Sequence, residues 1–259
     1  MSDESLPEHV AANRQYWDER APDWVASGER AWSRAEPTWG VWGVPEAQLL
    51  MLPADMTGMT AVELGCGTGY ISGWMARRGA TVSAIDNSAE QLATATRLAD
   101  LHGASIAFVH GDAERTPYPD AAFDFAISEY GAAIWCDPEK WIPEAHRILK
   151  PGGRLVFLGN HPLMAVCSPW DGSPVVDRLV RPYFQVRRMD WREVEVDPGG
   201  VEFNLPTSGW FELFQRVGFV VEGYAEPRPT EPGDDVPFAV SQRWAYEYPS
   251  EHVWKLRKA

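Results

Sequence analysis

The chain has 259 residues, of which 45% are hydrophobic and 23% are charged, a composition typical of a globular protein with a full apolar core. Its formal net charge of -14 disfavours a nucleic-acid partner, because binding to a polyanion depends on clustered Lys and Arg. The three cysteines are widely spaced and form no Cys-x-x-Cys pair, so neither a disulfide framework nor a metal site is predicted.

The amino terminus, "MSDESLPEHV", is acidic, whereas a signal peptide would be basic and then apolar. The sequence also lacks any stretch of about 18 apolar residues that would suit a membrane span. We therefore expect a cytoplasmic protein without a membrane partner.

The first 45 residues differ from the rest of the chain in their proline spacing and their high tryptophan content. Pro7, Pro22 and Pro37 are predicted to divide this segment into short helical pieces, and it holds five of the 13 tryptophans. We interpret residues 1–45 as an N-terminal helical cap.

Residues 46–159 are interpreted as the core of the domain. From about Ala61 to Gly159 the sequence alternates short apolar runs with helical patterns, which favours βαβ units and a parallel sheet. Ser88 and Asp137 are predicted to cap two of the helices, and Pro143 is predicted to interrupt the second one. The predicted strands are Ala61–Leu64, Thr81–Ile85, Ile106–His110, Phe123–Ser128 and Arg154–Leu158.

The remainder of the chain is predicted to complete one domain. Residues 160–206 are rich in proline and aromatic residues without clean periodicity, which indicates an insertion acting as a lid. Residues 207–259 return to an amphipathic helix and a β-branched strand, with one more strand predicted near His252–Leu256.

The stretch "AVELGCGTGY", residues 61–70, places three glycines at alternate positions after an apolar run. Glycines there leave bare backbone close to a ligand. A dinucleotide site prefers Gly-x-Gly-x-x-Gly, but Tyr70 occupies the last position, and no Lys-Ser/Thr follows as in a phosphate-binding P-loop. Glu63 would repel phosphate, yet it suits a cationic ligand such as the sulfonium and ammonium of S-adenosylmethionine.

Two further carboxylates follow predicted strands. Asp86 is placed to accept hydrogen bonds from two ribose hydroxyls, and Asp112 to accept one from an adenine amino group. Each alone is as readily a helix cap or a turn residue. Their joint position at the strand ends of one sheet favours a nucleoside ligand.

Four motifs in this order resemble those of the class I S-adenosylmethionine-dependent methyltransferases. They are "VELGCGTG", "AIDNS", "HGDAERTPYPDAAFD" and "RILKPGGRLVF", spread over residues 61–159. Within this family, the sequence most resembles the branch that acts on small molecules, which includes the ubiquinone and menaquinone biosynthesis methyltransferases. The resemblance implies an α/β fold, a Rossmann-like seven-stranded mostly parallel sheet flanked by helices. It also implies S-adenosyl-L-methionine as cofactor and S-adenosyl-L-homocysteine as product.

The same resemblance, carried over position by position, implies the cofactor-binding residues. They are Glu63, Gly65, Cys66, Gly67, Asp86, Asn87, Gln91, Asp112, Ala113, Glu114 and Glu129.

The acceptor side is less defined by the sequence. Glu129, Tyr130 and His161 follow the fourth and fifth predicted strands, where they are candidates for orienting an acceptor or taking its proton. Packing, or cofactor contact for Glu129, is the competing interpretation. Four tryptophans are predicted as pocket walls: Trp17, Trp42, Trp135 and Trp170.

These features predict S-adenosylmethionine-dependent methyl transfer to a small apolar or aromatic acceptor, on oxygen, nitrogen or carbon. Two other functions stay open. A non-catalytic binder of the cofactor or its product would keep every motif, and a nicotinamide-dependent oxidoreductase would use the same sheet but is disfavoured by the glycine spacing. The sequence does not predict an oligomeric state.

Overall fold

The computed structural model describes residues 6–196 and 198–259. The helices are α1 (Glu8–Ser33), α2 (Glu46–Leu49), α3 (Tyr70–Arg77), α4 (Ala89–Leu101), α5 (Ala132–Trp135), α6 (Pro138–Ile148), α7 (Pro162–Cys167), α8 (Thr207–Val217) and α9 (Gln242–Glu247). The strands are β1 (Thr38–Trp39), β2 (Val44–Pro45), β3 (Thr60–Leu64), β4 (Thr81–Asp86), β5 (Ile106–His110), β6 (Phe123–Glu129), β7 (Leu149–Asn160), β8 (Arg188–Asp190), β9 (Val201–Phe203), β10 (Phe219–Ala225) and β11 (Glu251–Lys258).

Seven strands form the central sheet in the order β10-β11-β7-β6-β3-β4-β5. Strand β11 runs antiparallel to both of its neighbours, and the β7-β6-β3-β4-β5 pairs are all parallel. The predicted Rossmann-like, mostly parallel sheet is therefore confirmed. Because the chain crosses from β3 to β4 on one side and later to β6 on the other, a crevice opens at the carboxyl end of β3.

Both predicted helix caps are present. The Ser88 hydroxyl accepts a hydrogen bond from the Gln91 amide at 3.1 Å, and the Asp137 carboxylate accepts one from the Glu139 amide at 3.1 Å. The predicted interruption at Pro143 is wrong, because α6 continues through it. A proline within a helix costs about 3 kcal/mol. Burial of one apolar helix face against the sheet offsets this, at roughly 1.5–3 kcal/mol for each large side chain.

The predicted division of the amino-terminal segment at Pro22 is also wrong, since α1 is one helix of 26 residues. Tertiary contacts hold it together. Trp32 near its carboxyl end is fully buried and packs so closely on α3 that a Cβ on Gly73 would lie 2.4 Å from the indole. Helix stability in proteins comes largely from such packing, and this outweighs the local preference of proline.

The amino-terminal helix and the segment after β7 meet across the carboxyl ends of the strands. The Asn13 side chain donates to the Val201 carbonyl at 2.9 Å and to the Trp135 carbonyl at 3.0 Å, and accepts from the Val201 amide at 2.7 Å. Residues 1–5 of the predicted cap and residue 197 of the predicted lid lie outside the described residues. None of the helices in the described ranges has the length and apolar character needed to cross a bilayer.

Candidate functional site

A cavity of about 480 Å³ lies at the carboxyl ends of the central strands. The β3–α3 loop, the end of β4 and the β6–α5 turn form one part of its wall. Helix α1, the segment after β7 and residues 238–240 form the other part. The loops that carry the sequence motifs and the aromatic-rich segments before and after the sheet therefore line the same cavity.

Glycine is required at two positions of the β3–α3 loop for different physical reasons. Gly65 has a φ of +75°, and a Cβ there would lie 2.6 Å from the Gly131 Cα, so it allows the loops after β3 and β6 to touch. Gly67 has a φ of +50°, and the nearest atom to a Cβ there would be the Gln91 Oε1 at 4.0 Å. Gly67 thus presents bare backbone to open space in the cavity.

Asp86 lies directly beneath this loop. Its Oδ2 accepts from the Gly67 amide at 2.7 Å and its Oδ1 from the Ser88 amide at 2.8 Å. Burial raises the pKa of the Asp86 carboxyl. Gln91 is also buried, and its Oε1 has no hydrogen-bond partner among the described residues. An unpaired buried acceptor beside Asp86 suits a ligand that carries hydroxyl donors.

Glu63, the penultimate residue of β3, borders the cavity. Its Oε2 accepts from the Ser72 amide at 2.8 Å and from the Ser72 hydroxyl at 2.5 Å, which ties β3 to the first turn of α3. Burial raises the pKa of the Glu63 carboxyl to about 8. A cation bound nearby would lower this pKa and favour the ionised carboxylate, so Glu63 is able to complement a positively charged ligand.

The predicted adenine loop only partly faces the cavity. Asp112 and Ala113 line it, and the Asp112 Oδ1 accepts from the Glu114 amide at 2.8 Å. The Glu114 carboxylate is turned away, since it accepts from the His9 ring at 2.7 Å and the Asp137 amide at 2.7 Å. Glu114 is therefore placed to join helices α1 and α6.

Two other predicted cofactor residues also border the cavity. Cys66 is buried in its wall, and burial raises the pKa of the thiol well above its usual value. Asn87 lies at the edge, where its side chain accepts from the Arg14 guanidinium at 3.0 Å and donates to the Val10 carbonyl at 2.8 Å. The Asn87 amide is thus engaged by α1.

A family model described as a methyltransferase domain matches residues 62–157, which contain the glycine loop and the strands that carry these carboxylates. Residues 62–157 are thus similar to the methyltransferase-domain family. The predicted resemblance is confirmed, and S-adenosyl-L-methionine is the cofactor of this family.

Two relatives and one solved structure illustrate how far the likeness extends. The chain is 33% identical over 141 residues to the malonyl-(acyl-carrier protein) O-methyltransferase of Pectobacterium atrosepticum, covering 52% of this chain and 53% of that protein. It is 38% identical over 99 residues to the demethylmenaquinone methyltransferase of Thermus thermophilus, covering 38% and 45%. An S-adenosylmethionine-dependent methyltransferase from Mesorhizobium loti superposes with a TM-score of 0.64 at 25% identity, covering 82% and 96%. The chain spans about half the length of the two curated relatives.

The residues present fit this cofactor. Gly67 leaves room beside the loop, the unpaired Gln91 Oε1 and the Asp86 carboxylate suit a ribose, and Glu63 suits the cationic methionine end. Asp112, which the sequence predicts as an acceptor for the adenine amino group, also lines the cavity. When bound, the cofactor supplies an electrophilic methyl group on a sulfonium.

Beyond the glycine loop, the cavity wall continues through the end of β6. The Glu129 carboxylate accepts from the Gly40 amide at 2.6 Å and from the Tyr70 hydroxyl at 2.5 Å. Tyr130 has a left-handed φ of +55°, an uncommon value outside glycine that is concentrated at functional sites. Its hydroxyl donates to Glu251. Glu129 and Tyr130 therefore both line the cavity, as the sequence predicts for acceptor-side residues.

Glu251, at the start of β11, is a cavity residue that the sequence analysis missed. It is 1% exposed, and its Oε1 accepts from the Val41 amide at 2.8 Å. Burial raises the pKa of the Glu251 carboxyl to about 7. No local motif marks it, because β11 reaches the cavity only through its antiparallel insertion between β7 and β10.

Three of the four predicted tryptophan walls line the cavity. Trp17 and Trp135 meet edge to face with ring centroids 5.2 Å apart, and the Trp42 Nε1 donates to the Ser250 hydroxyl at 2.8 Å. Trp170 lies outside the cavity, where it is 65% exposed with the Arg181 guanidinium 3.8 Å from its ring centroid. Five further aromatic residues line the cavity and were not predicted as its walls: Tyr16, Trp24, Tyr70, Trp191 and Phe238.

The structure places His161 away from the cavity. Its Nδ1 accepts from the Leu163 amide at 3.0 Å, so it caps the first turn of α7. Its Nε2 lies 3.1 Å from both the Tyr224 hydroxyl, on the edge strand β10, and the Glu226 carboxylate. Burial lowers the pKa of the imidazole. His161 is therefore not placed to take a proton from an acceptor in the cavity, and its prediction as a candidate base is wrong.

Proposed function

We propose that this methyltransferase transfers the methyl group of S-adenosylmethionine to a small molecule with an apolar or aromatic body. The observation that carries the proposal is that one cavity contains both the glycine loop and a wall of tryptophans. The two curated relatives support a small acceptor group, since their names specify malonyl-(acyl-carrier protein) and demethylmenaquinone.

The part played by the chain in this reaction is alignment and exclusion of water. Methyl transfer from a sulfonium is an in-line displacement, and a well-oriented nucleophile gains most of its rate from proximity. The tryptophans and the cover formed by α1 and the segment after β7 would exclude water from that line. Glu129 and Tyr130 are placed where they would orient the acceptor, and Glu129 remains a candidate to take its proton.

A non-catalytic binder of the cofactor would not need the second half of the cavity. The enclosed aromatic volume beyond the glycine loop favours an enzyme over such a binder. A nicotinamide-dependent oxidoreductase is disfavoured, because Glu63, Asp86 and Asp112 line the cavity and, when ionised, would repel a pyrophosphate.

The test is transfer of a labelled methyl group. We expect the protein, incubated with methyl-labelled cofactor and a panel of small aromatics, amines, alcohols, carboxylic acids, nucleic acids and proteins, to label a small molecule. Calorimetry with S-adenosylhomocysteine serves as the control for an intact cofactor site. Efficient labelling of nucleic acid or protein would contradict the proposal, and binding without transfer to any member would favour the non-catalytic alternative.

We also propose that the chain acts as one methyltransferase domain in which residues 160–206 serve as a lid over the acceptor. The bonds from Asn13 to Val201 and Trp135 support a closed arrangement of cap and lid. Ligand-gated lids close over their substrates. We expect backbone amides of 160–206 to exchange hydrogen more slowly when S-adenosylhomocysteine is bound. Equal exchange rates in both states would show a fixed wall instead.

We further propose that the acceptor is free in the cytoplasm and is not presented by nucleic acid. The net charge of -14 supports this, because a strongly anionic protein repels a phosphate backbone at long range.

A further inference from the structure

The acceptor end of the cavity is rich in carboxyl groups. Glu129, Glu202 and Glu251 line it in addition to the three carboxyls at the cofactor end. Among the described lining residues the one cationic side chain is Arg20, which pairs with Asp23 at 2.9 Å, and both side chains are about half exposed. The acceptor end therefore holds acidic groups in excess of lining cations.

Glu129 and Glu251 are held as a pair by one turn. The amides of Gly40 and Val41, consecutive in the chain between β1 and β2, donate to Glu129 at 2.6 Å and to Glu251 at 2.8 Å. A Cβ on Gly40, whose φ is +70°, would lie 2.3 Å from the Glu251 Oε1, so the turn packs directly on the carboxyl. The left-handed Tyr130 places its hydroxyl on the same group. Such over-determined geometry is typical of a functional cluster.

This pair is not fully satisfied within the protein. The Glu251 Oε2 is buried and has no hydrogen-bond partner among the described residues. Buried carboxyl oxygens are normally paired, so an unpaired one in a cavity wall calls for a donor from a ligand.

Glu202 adds a third carboxyl from the segment after β7. The Trp191 side chain and the Asn160 amide hydrogen-bond to it, the latter at 3.3 Å from its Oε2, and Arg181 is a positive charge nearby. The Arg181 guanidinium is itself engaged, since it donates to the carbonyls of Ser168 at 2.8 Å and Pro169 at 3.0 Å.

We propose that the acceptor is an amine on an apolar or aromatic body, bound as the ammonium by Glu251 together with Glu129 and Glu202. This inference rests on the proposed function and names the substrate class of the same cavity. Indole faces attract cations through their quadrupole, and Trp17, Trp24, Trp42, Trp135 and Trp191 line the cavity with these carboxyls. An acceptor bearing a carboxylate would meet like charge at the same place.

The reaction balances with the groups present. The bound ammonium first gives one proton to the Glu251 carboxylate. The freed nitrogen lone pair then forms the new N–C bond to the methyl carbon, and the C–S bond breaks with its electron pair going to sulfur. The product leaves as a methylated ammonium, and the Glu251 proton is released to solvent when the cavity opens.

The test compares three probes of similar shape on protein saturated with S-adenosylhomocysteine: 2-phenylethylamine, 2-phenylethanol and 3-phenylpropionate. Calorimetry should show the amine binding at least about 10-fold more tightly than either of the others, a ratio expected for one charge-assisted hydrogen bond. Glu251→Gln should weaken amine binding about 10-fold or more, and Glu202→Gln should weaken it less. The exposed Glu247→Gln is the matched control and should leave it unchanged.

The pH profile gives a readout that a merely structural role for Glu251 would not move. Burial raises the pKa values of the Glu251 and Glu202 carboxyls to about 7, whereas an alkyl ammonium stays protonated to about pH 9–10. Ionised carboxylates bind the ammonium, so amine affinity should rise between pH 6 and pH 8. Glu251→Gln should flatten that rise.

Two results would overturn the inference: the alcohol or the carboxylate binding as tightly as the amine, or Glu251→Gln leaving amine affinity and its pH profile unchanged. Methyl transfer to an alcohol, acid or carbon acceptor would refute the amine while upholding the proposed function. If the unmodified protein did not bind S-adenosylhomocysteine, both the amine inference and the proposed function would be refuted.

Discussion

Gly67→Val is expected to abolish binding of S-adenosylhomocysteine while leaving the protein folded. The valine side chain would extend into open space of the cavity beside the Gln91 Oε1, where the ligand must approach the loop backbone. The left-handed φ of +50° adds strain of about 1–2 kcal/mol, which a domain of this size tolerates. Calorimetry measures the binding, and thermal unfolding monitored by circular dichroism measures the fold.

Gly103→Val is the matched control for backbone strain. Gly103 has a φ of +64° after α4, and a Cβ there meets nothing within 4 Å. The two variants should lose similar stability, but only the one in the loop should lose the ligand. Binding by Gly67→Val within about threefold of the unmodified protein would show that the loop is only a turn.

The sequence predicts the sheet because its information is local. The five central strands are apolar runs, and helices follow β3, β4 and β6. Ser88 and Asp137 mark helix starts through hydrogen bonds from amides two or three residues away. The glycine loop and its carboxylates are equally local, since each lies at the end of its own strand. Features that depend only on neighbouring residues can be predicted from the sequence without knowing the tertiary contacts.

The errors in the sequence analysis share one physical cause, which is that tertiary contacts outweigh local preference. Pro22 and Pro143 sit inside continuous helices because buried faces hold those helices together. His161 was predicted from its position after a strand end and Trp170 from its turn-rich surroundings, yet His161 is buried as a cap of α7 and the Trp170 ring is exposed. Glu251 was missed because its neighbours in the cavity, such as Val41, lie about 210 positions away in the chain.

The tryptophans show why composition alone cannot assign a role. Trp32 and Trp17 belong to the same helix and the same aromatic-rich segment. Trp32 is fully buried against α3, whereas Trp17 lines the cavity. Their difference arises from which face of α1 meets the sheet, and that depends on contacts made by the whole domain.

Trp32→Ala is expected to lower the free energy of unfolding by about 3–5 kcal/mol, the usual cost of removing a large buried aromatic side chain. Trp32 is 0% exposed, and its ring fills the space that the missing side chain of Gly73 leaves on α3. Urea unfolding should show a lower midpoint with an unchanged m-value.

The same substitution should also weaken S-adenosylhomocysteine binding, because the Trp32 Nε1 donates to the Thr68 carbonyl of the glycine loop at 2.8 Å. Trp32→Phe separates the two effects, since it keeps most of the packing and removes the donor; it should lose less stability than Trp32→Ala but still loosen the loop. Trp170→Ala is the control, because that ring is 65% exposed and stacks on Arg181, a contact worth about 0.5–1 kcal/mol. Equal losses of stability at Trp32 and Trp170 would contradict the assignment of α1 as a structural support of the cofactor loop.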